Sequence, residues 1–276
     1  MKFIRGNRNK RGIGTLLFLL SFLFSLQTFS AKVEASITTS GVLSQDEVWS
    51  GQVHVTGDVV IPEGITLTVR AGTFITFSGD GSDNDVDTVV LNELWLDKSN
   101  LIVKGDLIIQ GKEDSRVVLG GPSFDLDNPT SANWWGGIIF EGLNVQSLIE
   151  YAEIRYADVA LVFTGSSMPW VVNSTIADND VGIMTFDFSS PRIISNVIKR
   201  NTLWSISCYD YSFPMISYNI IENSEVGIGC EDSSLPIIQY NTFGNNSVDI
   251  LIQDDSNPTE VGNIPKNNKV RTDIKG

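Results

Sequence analysis

The sequence has few basic side chains, and histidine and cysteine are rare. Its 276 residues include 19 Lys and Arg against 33 Asp and Glu, with one histidine and two cysteines. The net charge of −14 disfavours nucleic acid or an anionic membrane as a partner, because both attract patches of Lys and Arg. Only 19% of the residues are charged and 42% are hydrophobic, which excludes a chain disordered by excess charge.

Long apolar runs are also scarce, and the one that stands out is Ile13–Leu26, which follows a basic segment. It spans 14 residues, fewer than the about 20 that cross a bilayer. Val33 and Ala35 supply small residues before a cleavage point, which predicts a signal peptide over residues 1–35 and a secreted, periplasmic or cell-surface location. Its removal takes away six basic residues and one acidic residue, changing the net charge from −14 to −19, and no second apolar span follows.

Prolines recur at a nearly constant interval in the C-terminal half, with spacings of 22, 23, 22 and 22 residues. Other residue types keep step with them, four residues before and five residues after each proline. Such a period is typical of a repeat architecture. The three columns are Pro169, Pro191, Pro214, Pro236, Pro258; Gly165, Asp187, Asp210, Asp232, Asp254; and Ser174, Asn196, Asn219, Asn241, Asn263.

Apolar residues form five further columns with the same interval, beginning at Ile149, Ile154, Val159, Leu161 and Phe163. The last three columns are spaced two residues apart, which is the period of a strand with one buried face. All three are therefore predicted to point into the core. The Val159 column consists of Val159, Val181, Trp204, Val226 and Val248.

A unit of 22 residues with about three short β segments and no helical periodicity predicts one coil of a parallel β-helix. Successive coils would stack about 4.8 Å apart, so equivalent side chains would form ladders. Amides stacked at a bend can hydrogen-bond from coil to coil. The sequence therefore predicts an all-β solenoid with an amide ladder of Asn196, Asn219, Asn241 and Asn263.

The repeat also predicts the organisation of the chain. After the signal peptide we expect an N-terminal lead-in over 36–47, a β-helix over 48–265 and a polar tail over 266–276. Regular coils occupy 147–257, and the coils before them are irregular. An insertion over 79–97 is predicted because Leu67, Val69 and Ile75 match Leu101, Val103 and Ile109 at a separation of 34.

These units resemble right-handed parallel β-helix repeats of the pectin-lyase-like superfamily. The segments that carry the resemblance are PRIISNVIKRN (191–201) and PIIQYNTFGNN (236–246) in the regular coils. Earlier segments resemble the opening of secreted bacterial β-helix proteins, namely GDVVIPEGITLTVRAGTFITF (57–77), LIVKGDLIIQG (101–111) and WWGGIIF (134–140). The resemblance covers nearly the whole mature chain and implies a right-handed β-helix. It does not specify a function, because such scaffolds carry lyases, hydrolases, epimerases and binding proteins.

The motifs of the superfamily's enzymes are absent from this sequence. It lacks the polygalacturonase segments, the WxDH signature of pectate lyases and the DPHE motif of alginate epimerases. His54 lies between Val53 and Val55 in an alternating segment, which predicts a surface imidazole. A lyase acting on polyanions needs a positive cleft, yet the regular coils contain only four basic residues, Arg155, Arg192, Lys199 and Arg200.

Two acidic features are candidate ligand sites. Asp83, Asp85 and Asp87 alternate in the insertion, as at the start of a calcium loop, although the glycine and closing glutamate of an EF-hand are missing. A solvated loop is the alternative. The ladder Asp187, Asp210, Asp232 and Asp254 has two interpretations as well: Asx turns that end a strand, or a row of carboxylates for cations or sugar hydroxyls.

Neighbouring columns contain aromatic residues and both cysteines. Tyr209 and Tyr211, with Phe213 close by, are candidates for an exposed strip that binds sugar rings, or they cap the core. Cys208 and Cys230 occupy one core column on adjacent coils. Their expected separation permits a disulfide, but side-by-side thiols of parallel strands suit a bond poorly, so both states remain open. Further aromatic candidates are Phe186, Phe188, Trp134, Trp135 and Trp170.

The sequence thus favours a binding or structural module without recognisable catalytic residues, with a polysaccharide or cell-surface glycan as the expected partner. The alternative is a calcium-dependent polysaccharide lyase or glycoside hydrolase with an atypical site. An adhesin fragment or assembly subunit is a third class that the same pattern permits.

Overall fold

The computed structural model describes residues 36–78, 98–121, 134–143, 147–264 and 269–272. These residues lie within one unit, Glu34–Gly276. The described strands are short, pair in parallel and form one sheet of 17 strands and one of nine. The larger sheet contains two rows of strands, so each coil has three faces, which we number in the order in which the chain visits them.

Face 1 and face 3 make up the larger sheet, and two strands, β1 (Ile37–Val42) and β3 (Gln52–Ile61), extend across both. Face 1 comprises β6 (Asn100–Val103), β9 (Gly137–Phe140), β12 (Val159–Phe163), β15 (Val181–Thr185), β18 (Trp204–Cys208), β21 (Val226–Cys230), β24 (Val248–Gln253) and β26 (Lys269–Thr272). Face 3 comprises β5 (Phe74–Phe77), β8 (Val117–Gly120), β11 (Ala152–Arg155), β14 (Thr175–Ala177), β17 (Val197–Lys199), β20 (Ile220–Glu222) and β23 (Thr242–Gly244).

Face 2 is the nine-stranded sheet. It comprises β2 (Glu47–Trp49), β4 (Thr66–Arg70), β7 (Asp106–Gln110), β10 (Leu148–Glu150), β13 (Trp170–Val172), β16 (Arg192–Ile194), β19 (Met215–Ser217), β22 (Ile237–Gln239) and β25 (Thr259–Val261). Corner 1 connects face 1 to face 2, corner 2 connects face 2 to face 3, and corner 3 returns the chain to face 1. The predicted parallel β-helix with three strands in each coil is therefore confirmed.

The core of the solenoid consists of stacked apolar side chains from all three faces. In face 1, for example, Leu161 aligns with Ile183 and then with Ile206, and all three are fully buried. Four of the five predicted apolar columns contribute to this core. Because every coil shares its apolar surface with both neighbours, the hydrophobic stabilisation is distributed along the axis.

The predicted inward direction of the Val159 column is wrong. Val159 and Val181 belong to a second apolar cluster, and Trp204 packs against it. Adjacent residues of one strand alternate between the two clusters, as Leu161 and Val162 do, so the second cluster lies on the outer side of face 1. In the pairing of β12 with β15, the register includes Val159 and Leu161 but skips Ala160 between them. That interruption of the two-residue alternation turns Val159 outward.

Asparagine side chains form a continuous ladder at corner 2. Asn219 Oδ1 accepts hydrogen bonds from the backbone N and from Nδ2 of Asn196, at 2.9 and 3.1 Å. Its Nδ2 donates to the Ile193 carbonyl at 2.9 Å and to Asn241 Oδ1 at 2.9 Å. The same pattern continues from Asn241 to Asn263, so these buried amides bind each coil to the next.

The β-helix extends past both of its predicted boundaries. Strand β1 lies in the expected lead-in and pairs with β3, and β26 lies in the expected tail and pairs with β24. The predicted correspondence at a separation of 34 is also wrong, because Leu67 aligns with Leu107 and Val59 aligns with Leu101. The predicted insertion over 79–97 lies outside the described residues. None of the described residues belongs to a helix long and apolar enough to cross a membrane.

Candidate functional site on the outer side of face 1

The outer side of face 1 carries a row of apolar side chains in register from coil to coil. Ile102 aligns with Ile139, then with Val162 and with Met184. In the next two coils the large apolar side chains are replaced by small residues, because Ser207 and then Gly229 follow Met184.

Trp204 occupies the space that the small residue Gly229 leaves open. An atom at the Cβ position of Gly229 would lie 2.0 Å from Cζ3 of Trp204. The indole therefore reaches across to the following coil and rests on its backbone. The ring of Trp204 also stacks on that of Tyr209, with ring centroids 6.0 Å apart and an angle of 26° between the planes.

Ser207 lies between these two aromatic residues in the sequence and only 1% of its surface is exposed. Burial raises the pKa of Tyr209, and an interaction with the Ser207 hydroxyl offsets part of that rise. Ser207 Oγ is buried and has no other hydrogen-bond partner. A buried polar atom without a hydrogen-bond partner destabilises the folded state unless another group bonds to it.

Glu231 completes the site from the following coil. It succeeds Cys230, which aligns with Cys208, so Glu231 and Tyr209 are neighbours about 4.8 Å apart along the axis. Burial raises the pKa of the Glu231 carboxyl to about 7, and the carboxylates of Asp232 and Asp254 raise it further in the same direction. A strongly shifted pKa caused by burial and by specific charged neighbours marks a residue as a candidate for a functional site. We call Trp204, Ser207, Tyr209, Gly229 and Glu231 the outer site.

The basic residues of the regular coils lie away from the outer site. Arg155 and Arg200 both pair with Asp178 at corner 3, at 2.8 and 2.7 Å. Arg192 lies over the Trp170 ring on face 2, with 4.8 Å from its guanidinium carbon to the ring centroid. Lys199 belongs to β17 of face 3. Within residues 147–264 no cationic side chain therefore belongs to face 1 or corner 1.

A family model for the right handed beta helix region matches residues 115–270, which is more than half of the chain. The chain belongs to the right-handed β-helix family. Searches among curated proteins and among solved structures found no match. The family determines the handedness of the coils and leaves the chemistry of the site to be argued from its residues.

In this β-helix the aspartate ladder forms the turns of corner 1, although not through the predicted Asx bonds. Asp210 and Tyr211 both have positive φ, of 40° and 57°, and the Ser212 N–H donates to the Tyr209 carbonyl. Two consecutive positive φ values define a type I′ turn, in which Asp is favoured because it tolerates left-handed backbone. The Asp187 carboxylate accepts the Gly165 N–H of the preceding coil at 3.2 Å. Binding of ligands by Asp187, Asp210, Asp232 and Asp254 stays a prediction.

The predicted aromatic residues occupy different environments. Phe188 and Tyr211 are 53% and 51% exposed and stack at corner 1, with centroids 5.5 Å apart. Trp135, in contrast, is fully buried and stacks on Phe77 within the core. An aromatic pair missed by the sequence argument, Tyr218 and Tyr240, stacks at corner 2 with centroids 5.2 Å apart.

The remaining candidates do not form a metal or redox site in the described part of the chain. Cys208 and Cys230 are free buried thiols on adjacent coils, and burial raises the pKa of Cys208 to about 12. No three acidic, histidine or cysteine side chains converge as a metal site requires among the residues that the structure describes. The predicted calcium ligands Asp83, Asp85 and Asp87 lie outside those residues.

A shallow groove lies along corner 1 in the N-terminal coils. It is lined by Glu63, Lys104 and Asp106 together with three glycines, one from each of three successive coils. Lys104 pairs with Glu141 at 3.5 Å. The lining also includes Leu143 but contains no aromatic side chain, so this groove lacks the stacked rings of the outer site.

Proposed function

We propose that this β-helix protein is an extracytoplasmic carbohydrate-binding module and that the outer site contacts the ligand. The observation that carries the proposal is the stacked, partly exposed pair Trp204 and Tyr209 beside the carboxyl of Glu231. Ligand sites commonly combine aromatic surface with a few polar groups that orient the ligand. Aromatic rings offer an apolar face to the C–H groups of a sugar, and a carboxyl accepts hydrogen bonds from its hydroxyls.

The test is a glycan array with the mature protein, with and without calcium, followed by titration of the glycans that bind. We expect Trp204→Ala to weaken binding at least tenfold, which corresponds to about 1.4 kcal/mol. Gly229→Ala should weaken it as well, because the new methyl group would lie 2.0 Å from the present position of the indole. The matched control is Tyr240→Ala, which removes a stacked aromatic at corner 2. Equal affinities for Trp204→Ala and the unmodified protein would refute the assignment of the site.

A second candidate function is glycoside hydrolysis with Glu231 as general acid. Its pKa of about 7 keeps the carboxyl partly protonated at neutral pH, as a general acid requires. A polyanion lyase is less favoured, because residues 147–264 place no basic side chain on face 1 or corner 1. The measurement is a screen of polysaccharides for new reducing ends. A hydrolase requires their release by the unmodified protein and loss of that release in Glu231→Gln.

A further inference from the structure

Within residues 147–264 the charges nearest the outer site have one sign, whereas β26 of face 1, two coils beyond Glu231, contains Lys269 and Arg271. Glu231, Asp232 and Asp254 are close enough for the two aspartates to raise the pKa of Glu231. The corner 1 ladder continues this arrangement with Asp210 and Asp187 on the preceding coils. The four basic residues within 147–264 lie elsewhere, on faces 2 and 3 and at corner 3. The local field therefore attracts cations and repels uronates.

The outer site also contains the groups that recognise an ammonium ion. Trp and Tyr rings attract a cation over their faces, and a neighbouring carboxylate supplies the counter-charge. Ser207 contributes a buried hydroxyl that interacts with Tyr209 and so helps to position that ring. Its position in the outward column with Met184 and Gly229 directs it to the same side of face 1 as Trp204.

We infer that the outer site takes a sugar with a protonated amine, as in glucosamine polymers, in preference to neutral or acidic sugars. This inference rests on the proposed carbohydrate function. The ammonium group would lie among the rings of Trp204 and Tyr209 and the carboxyl of Glu231. The carboxylates of corner 1 recur once per coil, about every 4.8 Å along the axis. A chain with an amine on each sugar would gain affinity over a single sugar through multiple contacts.

Binding of a charged ligand and ionisation of the Glu231 carboxyl should be thermodynamically linked. In the free protein burial, and then the neighbouring carboxylates, favour the protonated form of Glu231. A bound cation reverses this balance, because an opposite charge favours the ionised form. Binding of an ammonium group near pH 7 should therefore release a fraction of a proton from Glu231. This release is measured as the difference between the unmodified protein and Glu231→Gln, because an amine that binds in its protonated form takes up protons of its own. The groups that face Glu231 and share this titration are Tyr209, Asp232 and Asp254.

The experiment is calorimetric titration of the mature protein with three oligosaccharides of equal length. They are a glucosamine oligomer, its N-acetylated form and an oligogalacturonate. We expect the glucosamine oligomer to bind at least tenfold more tightly than the N-acetylated form, with proton release measured in two buffers of different ionisation enthalpy. Glu231→Gln should abolish both the preference and the proton release.

The matched control is Glu225→Gln, which makes the same change in net charge at an exposed position before β21 of face 1. An equal loss of affinity in this variant would show nonspecific charge attraction and overturn the inference. Equal binding of both oligomers, lost in Trp204→Ala, would overturn the inference and leave the carbohydrate function intact. Binding of no oligosaccharide would refute the proposed function itself. Preference for phosphatidylcholine vesicles over the glucosamine oligomer would assign the ammonium to a lipid headgroup and overturn the aminosugar.

Discussion

Replacing Asn219 tests how much the asparagine ladder at corner 2 contributes to the stability of the fold. Its amide takes part in four hydrogen bonds, with Asn196 N, Asn196 Nδ2, the Ile193 carbonyl and Asn241 Oδ1, at 2.9 to 3.1 Å. Asn219→Ala removes all four and leaves buried groups of Asn196 and Ile193 without these partners. At about 1 kcal/mol for each bond, the expected loss of stability is about 4 kcal/mol.

The assay is urea unfolding of the mature protein, monitored by tryptophan fluorescence. An equal slope m in both variants would show that each unfolds in the same transition. The control is Asn257→Ala, at an exposed position of corner 1 without positive φ, where we expect a change of less than about 0.5 kcal/mol. Similar midpoints for the two variants would refute the view that the amide ladder is a major source of stability.

Further predictions concern titration and the thiols. Glu231 has a pKa raised from 4.5 to about 7, so the folded state keeps a proton that the unfolded chain loses in this range. Stability should therefore decline as pH rises from 4.5 through 7. Because the carboxyl is partly exposed, screening reduces the effect to about 1 kcal/mol, and Glu231→Gln should flatten the decline by that amount in urea unfolding at pH 4.5 and 8. Parallel pH profiles for the two proteins would contradict this. Cys208 and Cys230 are buried free thiols, so a thiol reagent should modify neither in the native protein and both after unfolding in urea. Absence of reaction in urea would reveal a disulfide instead.

Much of the fold could be predicted because it repeats. The proline, aspartate and asparagine columns reveal the length of a coil, and the structure shows the physical cause of the aspartate and asparagine columns. Asp210 is at corner 1 because a type I′ turn needs left-handed backbone. Asn219 is at corner 2 because its amide joins three coils. Outside the regular coils the prediction is wrong, because without a constant period the pattern pairs Leu67 with Leu101 instead of Leu107.

The side of face 1 on which Trp204 lies could not be predicted from alternation. A spacing of two residues assigned it to the core with Ile206, but the strand interrupts its alternation at that point. The indole also needs a small neighbour, and Gly229 is 25 residues away along the chain. Only the stacking of coils brings the two residues together.

By itself the sequence determined the all-β class, the 22-residue coil and the ladders, because these properties depend on residue types repeated at a constant interval. Apart from Tyr209, the tertiary structure alone decided the outer site, because its residues come from two coils and have no shared motif. Glu231 shows the reason most clearly. Its raised pKa depends on burial and on the carboxylate of Asp254 in the next coil, and such through-space effects have no counterpart in local sequence.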